Sequence, residues 1–488
     1  MICLGIDIGG TGSKCVAFSD RGQQLALSYE EYPLVAGAVN LPPEVLAASV
    51  FHVIRECADK LENKEEIAAI TVSSFGESFV AIDSDGNALD DIRMYFGNSE
   101  SAAFDALVEK VGAEKFMDIC RILPDSSYSL AKMLYTMEIT PKPVWKFLFI
   151  AGFICYRLCG KAATDVSLAC RSLLYDVKQG KWSEELAQAA GIPMGTLPEV
   201  VLYGTALGTL IPGVAQELHL PESVQVVIGT HDQIGNALGA GVQNVGDAVD
   251  TSGTCECITP LFTEIPETLD FQRDNFACVP YLEGRGYVTY AYNISAGSVV
   301  RWYRDALAYY LQEDGKSIYD ILNDTAPGQP TNLMVLPFLQ GMGGTPDVDP
   351  NATGLIAGLT TQTRLPDIYR AILEGITFEM RYNMEKLEAG NVYIQRLLAC
   401  GGGARSKVWL QIKADILGRD IIPVNIEETG AMGSAILGFA AISGRRPMEI
   451  TERFLRYGDV IHPNPAHWEV YNKRYTLYKQ LRAFYKEI

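Results

Sequence analysis

The sequence predicts an α/β protein built from two related domains that face one cleft. Apolar strands alternate with helical patterns along the chain, which is typical of α/β layers. A strand ending in a glycine- and threonine-rich turn opens the chain and recurs near residue 250. The chain, at 488 residues, is also too long for one small core. We expect a boundary near Gly246, with domains spanning residues 1–245 and 246–488.

The composition narrows the class of protein. The net charge is −19, so binding to nucleic acid or to an anionic membrane is not expected. The longest apolar run, residues 147–158, is shorter than the roughly 20 residues of a membrane span and predicts a buried helix. The start lacks a signal-peptide pattern, and the eleven cysteines form no CxxC pair. We therefore expect a cytoplasmic protein without a zinc site or a disulfide framework.

The first turn lies in residues 5–14, which read GIDIGGTGSK. Glycines let backbone N–H groups approach a phosphate closely, while Thr11, Ser13 and Lys14 add hydroxyl and cationic donors. Asp7 at the end of the strand would repel a phosphate, but it would bind Mg²⁺ that bridges to phosphate oxygens. The structural alternative is an ordinary glycine-rich hairpin whose aspartate is satisfied by backbone amides.

A second group of polar residues follows the buried strand at residues 226–228. The sequence continues GTHDQ before a helix, which places His231, Asp232 and Gln233 at a strand's carboxyl end, where α/β sites gather. An aspartate there can accept the proton of a hydroxyl that attacks a phosphoryl group. His231 and Gln233 offer polar contacts for a hydroxylated ligand. The structural alternative is that Asp232 caps the helix.

Three further segments complete the pattern. Glu77, in SSFGES after the strand at residues 70–72, could accept hydrogen bonds from sugar hydroxyls or be a solvated turn carboxylate. The second turn, in DAVDTSGTCECIT at residues 247–259, repeats the aspartate, hydroxyl and glycine order of the first. A third glycine loop, at residues 401–403, joins a strand to a helix with an apolar stripe of four-residue spacing. Asp367 is placed to cap a further helix.

The motifs, in their order, resemble the FGGY carbohydrate kinases over nearly the whole chain. The most specific segment is GLIAGLTTQTRLPDIYRAILE at residues 354–374, which is similar to a signature pattern of that family. The segment SAGSVVRWYRD at residues 295–305 resembles the start of one of its helices. The resemblance implies an actin-like ATPase fold: two ribonuclease H-like domains with an interdomain cleft, the first binding sugar and the second nucleotide.

The resemblance also implies roles for individual residues. The catalytic base would be Asp232, with ATP and Mg²⁺ as cofactors and Asp7 and Asp232 on the metal side. Sugar contacts would come from Gly76, Glu77, His231, Gln233 and Asn98. Nucleotide contacts would come from Gly10, Thr11, Gly12, Ser13, Lys14, Gly253, Thr254, Gly297, Arg301, Gly402, Gly403 and Ser406.

The departures from the family pattern lie mainly on the sugar side. Gly10 stands where a threonine is common, and MYFGNSE replaces the usual tryptophan segment, with Asn98 as the nearest polar substitute. Gly76 stands where an arginine would suit glycerol, so glycerol is disfavoured. We expect phosphorylation of a small sugar or polyol, with a xylulose-type ketopentose favoured, and we consider a homodimer.

Several alternatives remain open at this point. The sugar could be glycerol, a tetritol or a deoxyketose, or the protein could be a sugar sensor without turnover. A kinase of the repressor/open-reading-frame/kinase type would need a cysteine cluster and a shorter chain. A cytoskeletal or chaperone-type ATPase would explain the turns but not Glu77 or the cluster at residues 231–233.

Overall fold

The computed structural model describes residues 1–34, 37–96, 101–311 and 315–485, with the side chain of the last residue left out. The strands are β1 Ile2–Ile8, β2 Gly12–Ser19, β3 Gln24–Glu31, β4 Asn40–Leu41, β5 Ile67–Ser74, β6 Phe79–Ile82, β7 Ile92–Arg93, β8 Lys146–Phe149, β9 Ala163–Asp165, β10 Tyr175–Asp176, β11 Lys181–Trp182, β12 Glu199–Val201, β13 Ala206–Thr209, β14 Gln225–His231, β15 Asp247–Ser252, β16 Glu256–Phe262, β17 Val279–Pro280, β18 Tyr287–Val288, β19 Ala291–Asn293, β20 Met334–Leu336, β21 Leu355–Ala357, β22 Arg396–Cys400 and β23 Ile421–Pro423.

The helices alternate with these strands. They are α1 Pro43–Asp59, α2 Ala102–Val111, α3 Ala113–Cys120, α4 Ser129–Ile139, α5 Ile150–Cys159, α6 Val166–Cys170, α7 Glu184–Ala190, α8 Pro212–Leu218, α9 Asp232–Ala240, α10 Asp270–Arg273, α11 Gly297–Ala306, α12 Ile318–Thr325, α13 Leu365–Ala389, α14 Lys407–Leu417, α15 Thr429–Ser443, α16 Pro447–Phe454 and α17 Pro465–Tyr485. Within the described ranges, no helix is long and apolar enough to cross a membrane.

The chain divides into two compact units, and neither is continuous in sequence. Unit 1 consists of Met1–Gln243, Ala277–Tyr287 and Glu428–Leu455. Unit 2 consists of Asn244–Phe276, Val288–Glu427 and Arg456–Ile488. The first change of unit falls close to the boundary expected at Gly246, but two later segments return to unit 1.

The main sheet of unit 1 has the strand order β13-β14-β5-β1-β2-β3. Strands β1, β5 and β14 are parallel, whereas β2 runs antiparallel to both β1 and β3. The carboxyl ends of the three parallel strands therefore lie at one edge, where Asp7, Ser74 and His231 are found. This arrangement is the ribonuclease H-like pattern that the fold class predicts.

The main sheet of unit 2 repeats this order with different strands. Strands β15, β22 and β23 are parallel neighbours, and β16 pairs antiparallel with both β15 and β19. The hairpin β15–β16 thus corresponds to β1–β2 of unit 1. The two glycine-rich turns recognised in the sequence occupy equivalent positions in the two units, which confirms the predicted actin-like ATPase fold class.

The helices show which local predictions were correct. Asp367 accepts from the backbone N–H of Arg364 at 2.9 Å, so it caps α13 as expected. On α14, Ile412 and Ile416 of the predicted stripe are buried, and Val408 is partly buried. The apolar run at residues 147–158 is buried except for the half-buried Tyr156 and Arg157, but it is not one helix: its first residues form the end of β8 and the rest form α5.

Candidate active site

The first turn of unit 1 forms one wall of an open concavity of about 450 Å³. The N–H of Gly9 donates to the carbonyl of Gly12 at 2.9 Å and closes the turn between β1 and β2. The concavity is lined by Asp7, Gly9, Thr11, Gly12, Lys14, Leu27, Tyr29 and Glu428. A side chain at Gly12 would collide with the carbonyl of Glu30, and one at Gly10 would come within 3.0 Å of the Tyr95 hydroxyl. The backbone therefore requires glycine at position 12, whereas at position 10 only the Tyr95 side chain would have to move.

Lys14 and Ser13 have partners that the sequence did not reveal. The Lys14 ammonium lies 2.5 Å from a carboxylate oxygen of Glu428, which directly precedes α15. The Ser13 side chain is fully buried, and its oxygen lies 2.9 Å from the hydroxyl oxygen of Tyr32. The two side chains lie on opposite faces of β2 because successive residues of a strand alternate. Of these two residues, Lys14 is the one that lines the concavity.

Asp7 and Asp232 lie close enough to influence each other's charge. Burial raises the pKa of the Asp7 carboxyl; Lys14 opposes this shift and Glu428 adds to it. Burial also raises the pKa of Asp232 to about 8, and the carboxylates of Asp7 and Glu77 contribute to that shift. Carboxylates so crowded favour either a shared proton or a bound cation.

Asp232 does not cap α9, contrary to the structural alternative considered from the sequence. The cap is His231, whose Nδ1 accepts from the backbone N–H of Gln233 at 3.3 Å, and Asp232 is the first helical residue. Burial lowers the pKa of His231 to about 4, so the ring is neutral at pH 7. The 3.2 Å approach of its Nδ1 to Oδ1 of Asp232 is therefore not an ion pair.

Two oxygen atoms next to this cap are buried without a hydrogen-bond partner among the described residues. They are Oδ1 of Asp232 and Oε1 of Gln233. Such atoms are costly to bury unless something binds them, so they mark positions where ligand donors or cations are expected.

Gly76 and Glu77 lie against the same strand end. A Cβ atom at position 76 would lie 2.7 Å from Cδ2 of His231 and 3.2 Å from Cγ of Arg171. Glu77 is almost buried and has a left-handed backbone, with φ of 61°. Burial would raise its pKa, but the charges of Arg171 and Lys132 hold that pKa below its usual value. Glu77 is therefore an ionised, enclosed carboxylate rather than a solvated one.

Arg171 and Lys132 complete this environment, and neither is among the site residues expected from the sequence. Nε of Arg171 donates to Oε1 of Glu77, and the buried Lys132 ammonium donates to the backbone carbonyl of Glu77 at 2.9 Å. A charged residue that lies among apolar residues in the sequence is often buried, and a buried charge usually has a partner. The run SLACRSLLY, with one arginine among mostly apolar residues, carried that signal for Arg171.

In unit 2, the second turn adjoins the amino terminus of α11. The N–H of Ser298 donates to the carbonyl of Thr254 at 2.9 Å, and the Arg301 guanidinium donates to the Thr254 hydroxyl at 3.5 Å. Gly297 lies so close to Gly253 that any side chain would collide with the Gly253 carbonyl. The four predicted residues Gly253, Thr254, Gly297 and Arg301 are thus neighbours, with the positive end of a helix beside a turn.

The third glycine loop approaches the same strand β15. A Cβ at Gly403 would lie 2.5 Å from Cβ of Ser252, and one at Gly402 would lie 3.9 Å from the Ser252 carbonyl. Ser406 caps α14 by accepting from the N–H of Trp409 at 3.1 Å, and its hydroxyl donates to Asn323. Gly402 and Gly403 therefore lie near the second turn, while the Ser406 side chain is already engaged.

Asp250, which matches Asp7 in its position before the turn, has a different environment. The fully buried Lys413 ammonium lies 2.5 Å from Oδ2 of Asp250 and 2.5 Å from Oε1 of Glu256. A lysine thus neutralises the carboxylate of the second turn, whereas the Asp7 side chain lines an open concavity. Asn98 lies outside the described residues, so no placement is given for it.

Comparison with known proteins gives matches along most of the chain. The N-terminal domain of the FGGY family of carbohydrate kinases matches residues 2–239, and the C-terminal domain matches residues 251–442. A xylulose kinase of Bacillus subtilis is 25% identical over 99% of this chain and 97% of its own length. An L-fuculokinase of Escherichia coli is 26% identical over 90% of this chain and 92% of its own length. A ligand-bound xylulose kinase of Lactobacillus acidophilus superposes with a TM-score of 0.86 at 23% identity, covering 99% and 98% of the two chains.

Proposed function

The chain belongs to the FGGY family of carbohydrate kinases and is an ATP-dependent carbohydrate kinase; from this premise we propose that it phosphorylates a xylulose-type ketopentose, with Asp232 as general base. The observation that carries the proposal is the Asp232 carboxylate at the start of α9, beside Glu77, with one buried oxygen that has no partner among the described residues.

The preference for a ketopentose rests on two observations. Relatives that match over nearly their whole length include xylulose kinases of three bacterial species. In addition, the His231 ring fills the space beside Gly76, which leaves no room there for the arginine that the family resemblance associates with glycerol. A small sugar would instead meet Glu77, His231 and Gln233.

Asp232 would accept the proton of the attacking hydroxyl. A base must be ionised, yet burial and the neighbouring carboxylates raise the pKa of this group to about 8. A nearby positive charge would restore the ionised form near neutral pH. General-base catalysis of this kind typically increases the rate about 10²–10⁴-fold.

The residues around Asp7 fit Mg²⁺ well. A Cβ atom added to Gly430 would lie 2.8 Å from Oδ2 of Asp7 and 3.4 Å from Oδ1 of Asn236, so the two oxygens are on the same side of Gly430. Oδ1 of Asn236 also accepts from the Thr429 hydroxyl at 2.8 Å. Asp232, whose carboxyl is influenced by the charge of Asp7, adds a buried oxygen without a partner among the described residues. This donor set contains only oxygen, as Mg²⁺ prefers, and one or two carboxylates with substrate phosphates suffice to hold it. No larger acidic or histidine cluster occurs among the residues described. Bound Mg²⁺ would neutralise charge on the phosphate oxygens.

Each unit, taken by itself, carries candidate donors for phosphate oxygens. In unit 1 these are the backbone amides of the first turn, the exposed Thr11 hydroxyl and Lys14, whose pairing with Glu428 a phosphate would have to replace. In unit 2 they are Gly253 and Thr254 beside the amino terminus of α11, with Gly297, Arg301, Gly402 and Gly403 nearby. The separate sugar and nucleotide domains, the homodimer and the cytoplasmic location stay predictions.

ADP release from purified protein tests the proposal. D-Xylulose, D-ribulose, L-fuculose, erythritol and glycerol are compared at equal concentration with ATP and Mg²⁺. We expect the highest kcat/KM for a ketopentose. Asp232→Asn should lower kcat for that sugar by about 10²–10⁴ while the protein still binds ATP.

Thermal unfolding of Asp232→Asn is the control. The variant must show a cooperative transition like that of wild type, so that its loss of turnover cannot be attributed to misfolding. Turnover of this variant within a few-fold of wild type would contradict the role of Asp232. If a tetritol or glycerol were the best substrate, the proposed preference for a ketopentose would be wrong. Sugar binding without ADP release would indicate a sugar sensor.

A further inference from the structure

Glu77 and Arg171 form an ion pair beside the proposed base Asp232. Both side chains are nearly buried, with exposures of 10% and 14%. Arg171 directly follows the short helix α6, and its guanidinium lies over the Tyr128 ring at 4.9 Å from the centroid. The pair is therefore held in a defined orientation at the end of the sheet that carries Asp232.

Gly76 makes room for this arrangement. Because a side chain there would meet Cγ of Arg171 at 3.2 Å and Nε2 of His231 at 2.9 Å, the arginine stem and the histidine ring occupy the space that a side chain would otherwise take. Arg171 thus brings a guanidinium to this site from a different segment of the chain.

Lys132 holds the backbone of Glu77 in place. Its ammonium, 1% exposed as a residue, donates to the carbonyls of Glu77 and Ser127. Glu77 adopts a left-handed conformation, with φ of 61°, that is strained for a residue with a side chain. A buried clamp on a strained residue is typical of sites where the orientation of one side chain matters.

The chemistry of the pair is complementary to that of a diol. An ionised carboxylate accepts hydrogen bonds from hydroxyl groups, and a guanidinium donates them in a fixed planar fork. The two charges compensate each other, so together they offer little net charge to a ligand. The carboxylate of Glu77 would also repel a second carboxylate placed next to it.

We propose that the Glu77–Arg171 pair binds neighbouring hydroxyls of an uncharged sugar, and that Arg171 is a specificity-determining residue whose attraction for sugar acids is cancelled while Glu77 neutralises it. This inference rests on the proposed function and deepens it by naming the substrate class. Removing either partner should change the ranking of neutral and acidic sugars in opposite ways.

The experiment compares wild type, Arg171→Met, Arg171→Lys and Glu77→Gln with D-xylulose and D-gluconate. Arg171→Met should raise KM for D-xylulose by about 10- to 100-fold and change kcat less, because a hydrogen bond to a charged group contributes about 1.5–3 kcal/mol. Arg171→Lys keeps the positive charge but loses the planar guanidinium, so its KM for D-xylulose should rise less than that of Arg171→Met. Glu77→Gln should increase kcat/KM for D-gluconate relative to D-xylulose by about tenfold or more.

Arg157→Met is the matched control. Arg157 lies on α5 and pairs with Glu44 near the surface, so its loss should leave KM for the sugar unchanged. The affinity for the same sugars is also measured by calorimetric titration. This measurement tests the contribution of the Glu77–Arg171 pair to sugar binding even if no ADP forms. Thermal unfolding identifies any variant that fails to fold, and Arg171→Lys then replaces Arg171→Met.

The outcomes separate this inference from the proposed function. If wild type phosphorylates D-xylulose but Arg171→Met keeps its KM and Glu77→Gln keeps the gluconate-to-xylulose ratio, the inference is wrong and the function stands. If sugar affinity falls in Arg171→Met although wild type forms no ADP, the function is wrong and the inference stands. Preference of wild type for D-gluconate would overturn both.

Discussion

At the residue scale, a chain of buried hydrogen bonds connects the end of β14 to the segment that carries Arg171. The backbone N–H of His231 donates to the Ser167 hydroxyl at 2.8 Å, and that hydroxyl donates to Asp165. Asp165 also accepts from the backbone amides of Ser167 and Leu168 and so caps α6. One carboxylate thereby supports both the residue before the proposed base and the helix before Arg171.

The buried Asp165 predicts a pH dependence of stability. Burial raises its pKa from 3.8 to about 6, and its Oδ2 has no hydrogen-bond partner among the described residues. Because the folded pKa is the higher one, the stability linked to this group is fully present below about pH 4 and is lost as the pH rises through about 6.

We therefore expect the difference in Tm, Asp165→Asn minus wild type, to become more positive between about pH 4 and pH 7. The corresponding change in free energy of unfolding is at most about 3 kcal/mol, at ~1.4 kcal/mol per pKa unit. Thermal unfolding at several pH values checks it, with Asp91→Asn at an exposed site as control. A difference that stays constant or falls with pH would contradict the assignment.

At the scale of elements, glycines allow α9 and α15 to approach each other closely. A side chain at Gly433 would collide with the backbone of Gly235, and one at Gly239 with the carbonyl of Thr429. Gly5 on β1 likewise faces the carbonyl of Ala431. The contact sets the position of α9, whose first residue is Asp232, relative to Asp7 at the end of β1.

Gly433→Ala should therefore impair both stability and turnover. The added methyl group has backbone rather than a flexible side chain as its neighbour, so we expect a loss of about 1–3 kcal/mol in the free energy of unfolding. Urea unfolding and kcat measure the two effects.

Gly213→Ala on α8 is the matched control, since a Cβ there meets nothing within 4 Å. That variant should be neutral or more stable by about 0.5–1 kcal/mol, because alanine favours a helix more than glycine does. If the two variants were equally stable, the α9–α15 contact would have to accommodate the added methyl group without a loss in the free energy of unfolding.

At the scale of the whole molecule, unit 1 is completed by a segment from the end of the chain. Residues 428–455 include α15, whose residues from Thr429 to Ala440 are all buried, and α16. The Ser434 hydroxyl donates to the backbone carbonyl of Ile6 at 3.2 Å and lies 2.8 Å from the Ser73 hydroxyl. Unit 1 therefore lacks part of its core until this late segment has been made.

A fragment of residues 1–243 should consequently fail to fold cooperatively. Without α15 it exposes the apolar face of β1 and β5, so we expect aggregation or lost near-ultraviolet circular dichroism with retained far-ultraviolet signal. The same fragment fused to residues 428–455 by a flexible linker is the control and should regain a cooperative thermal transition. Cooperative unfolding of residues 1–243 alone would contradict this view of unit 1.

The sequence alone located the two glycine-rich turns and the strands beside them, although it predicted one helix at residues 147–158, where the structure has the end of β8 followed by α5. Strand–turn–strand patterns gave β1–β2 and β15–β16, and a buried strand before GTHDQ located Asp232 at the start of a helix. These features depend on neighbouring residues, because glycine, alternation and helix capping act over a few positions. The α/β class with two similar domains follows from such local patterns. The actin-like fold class and the kinase family follow from the resemblance of the motifs, in their order along the chain, to the FGGY carbohydrate kinases.

Only the tertiary structure decided how the charges are paired. Lys14 meets Glu428, Arg171 meets Glu77, and Lys413 meets Asp250, although each pair is far apart in sequence. It also decided that Asp7 lines an open concavity while Asp250, in the same position of its own turn, is buried against a lysine. The physical reason is that burial and Coulomb interactions depend on distance in space, which spacing along a chain does not specify.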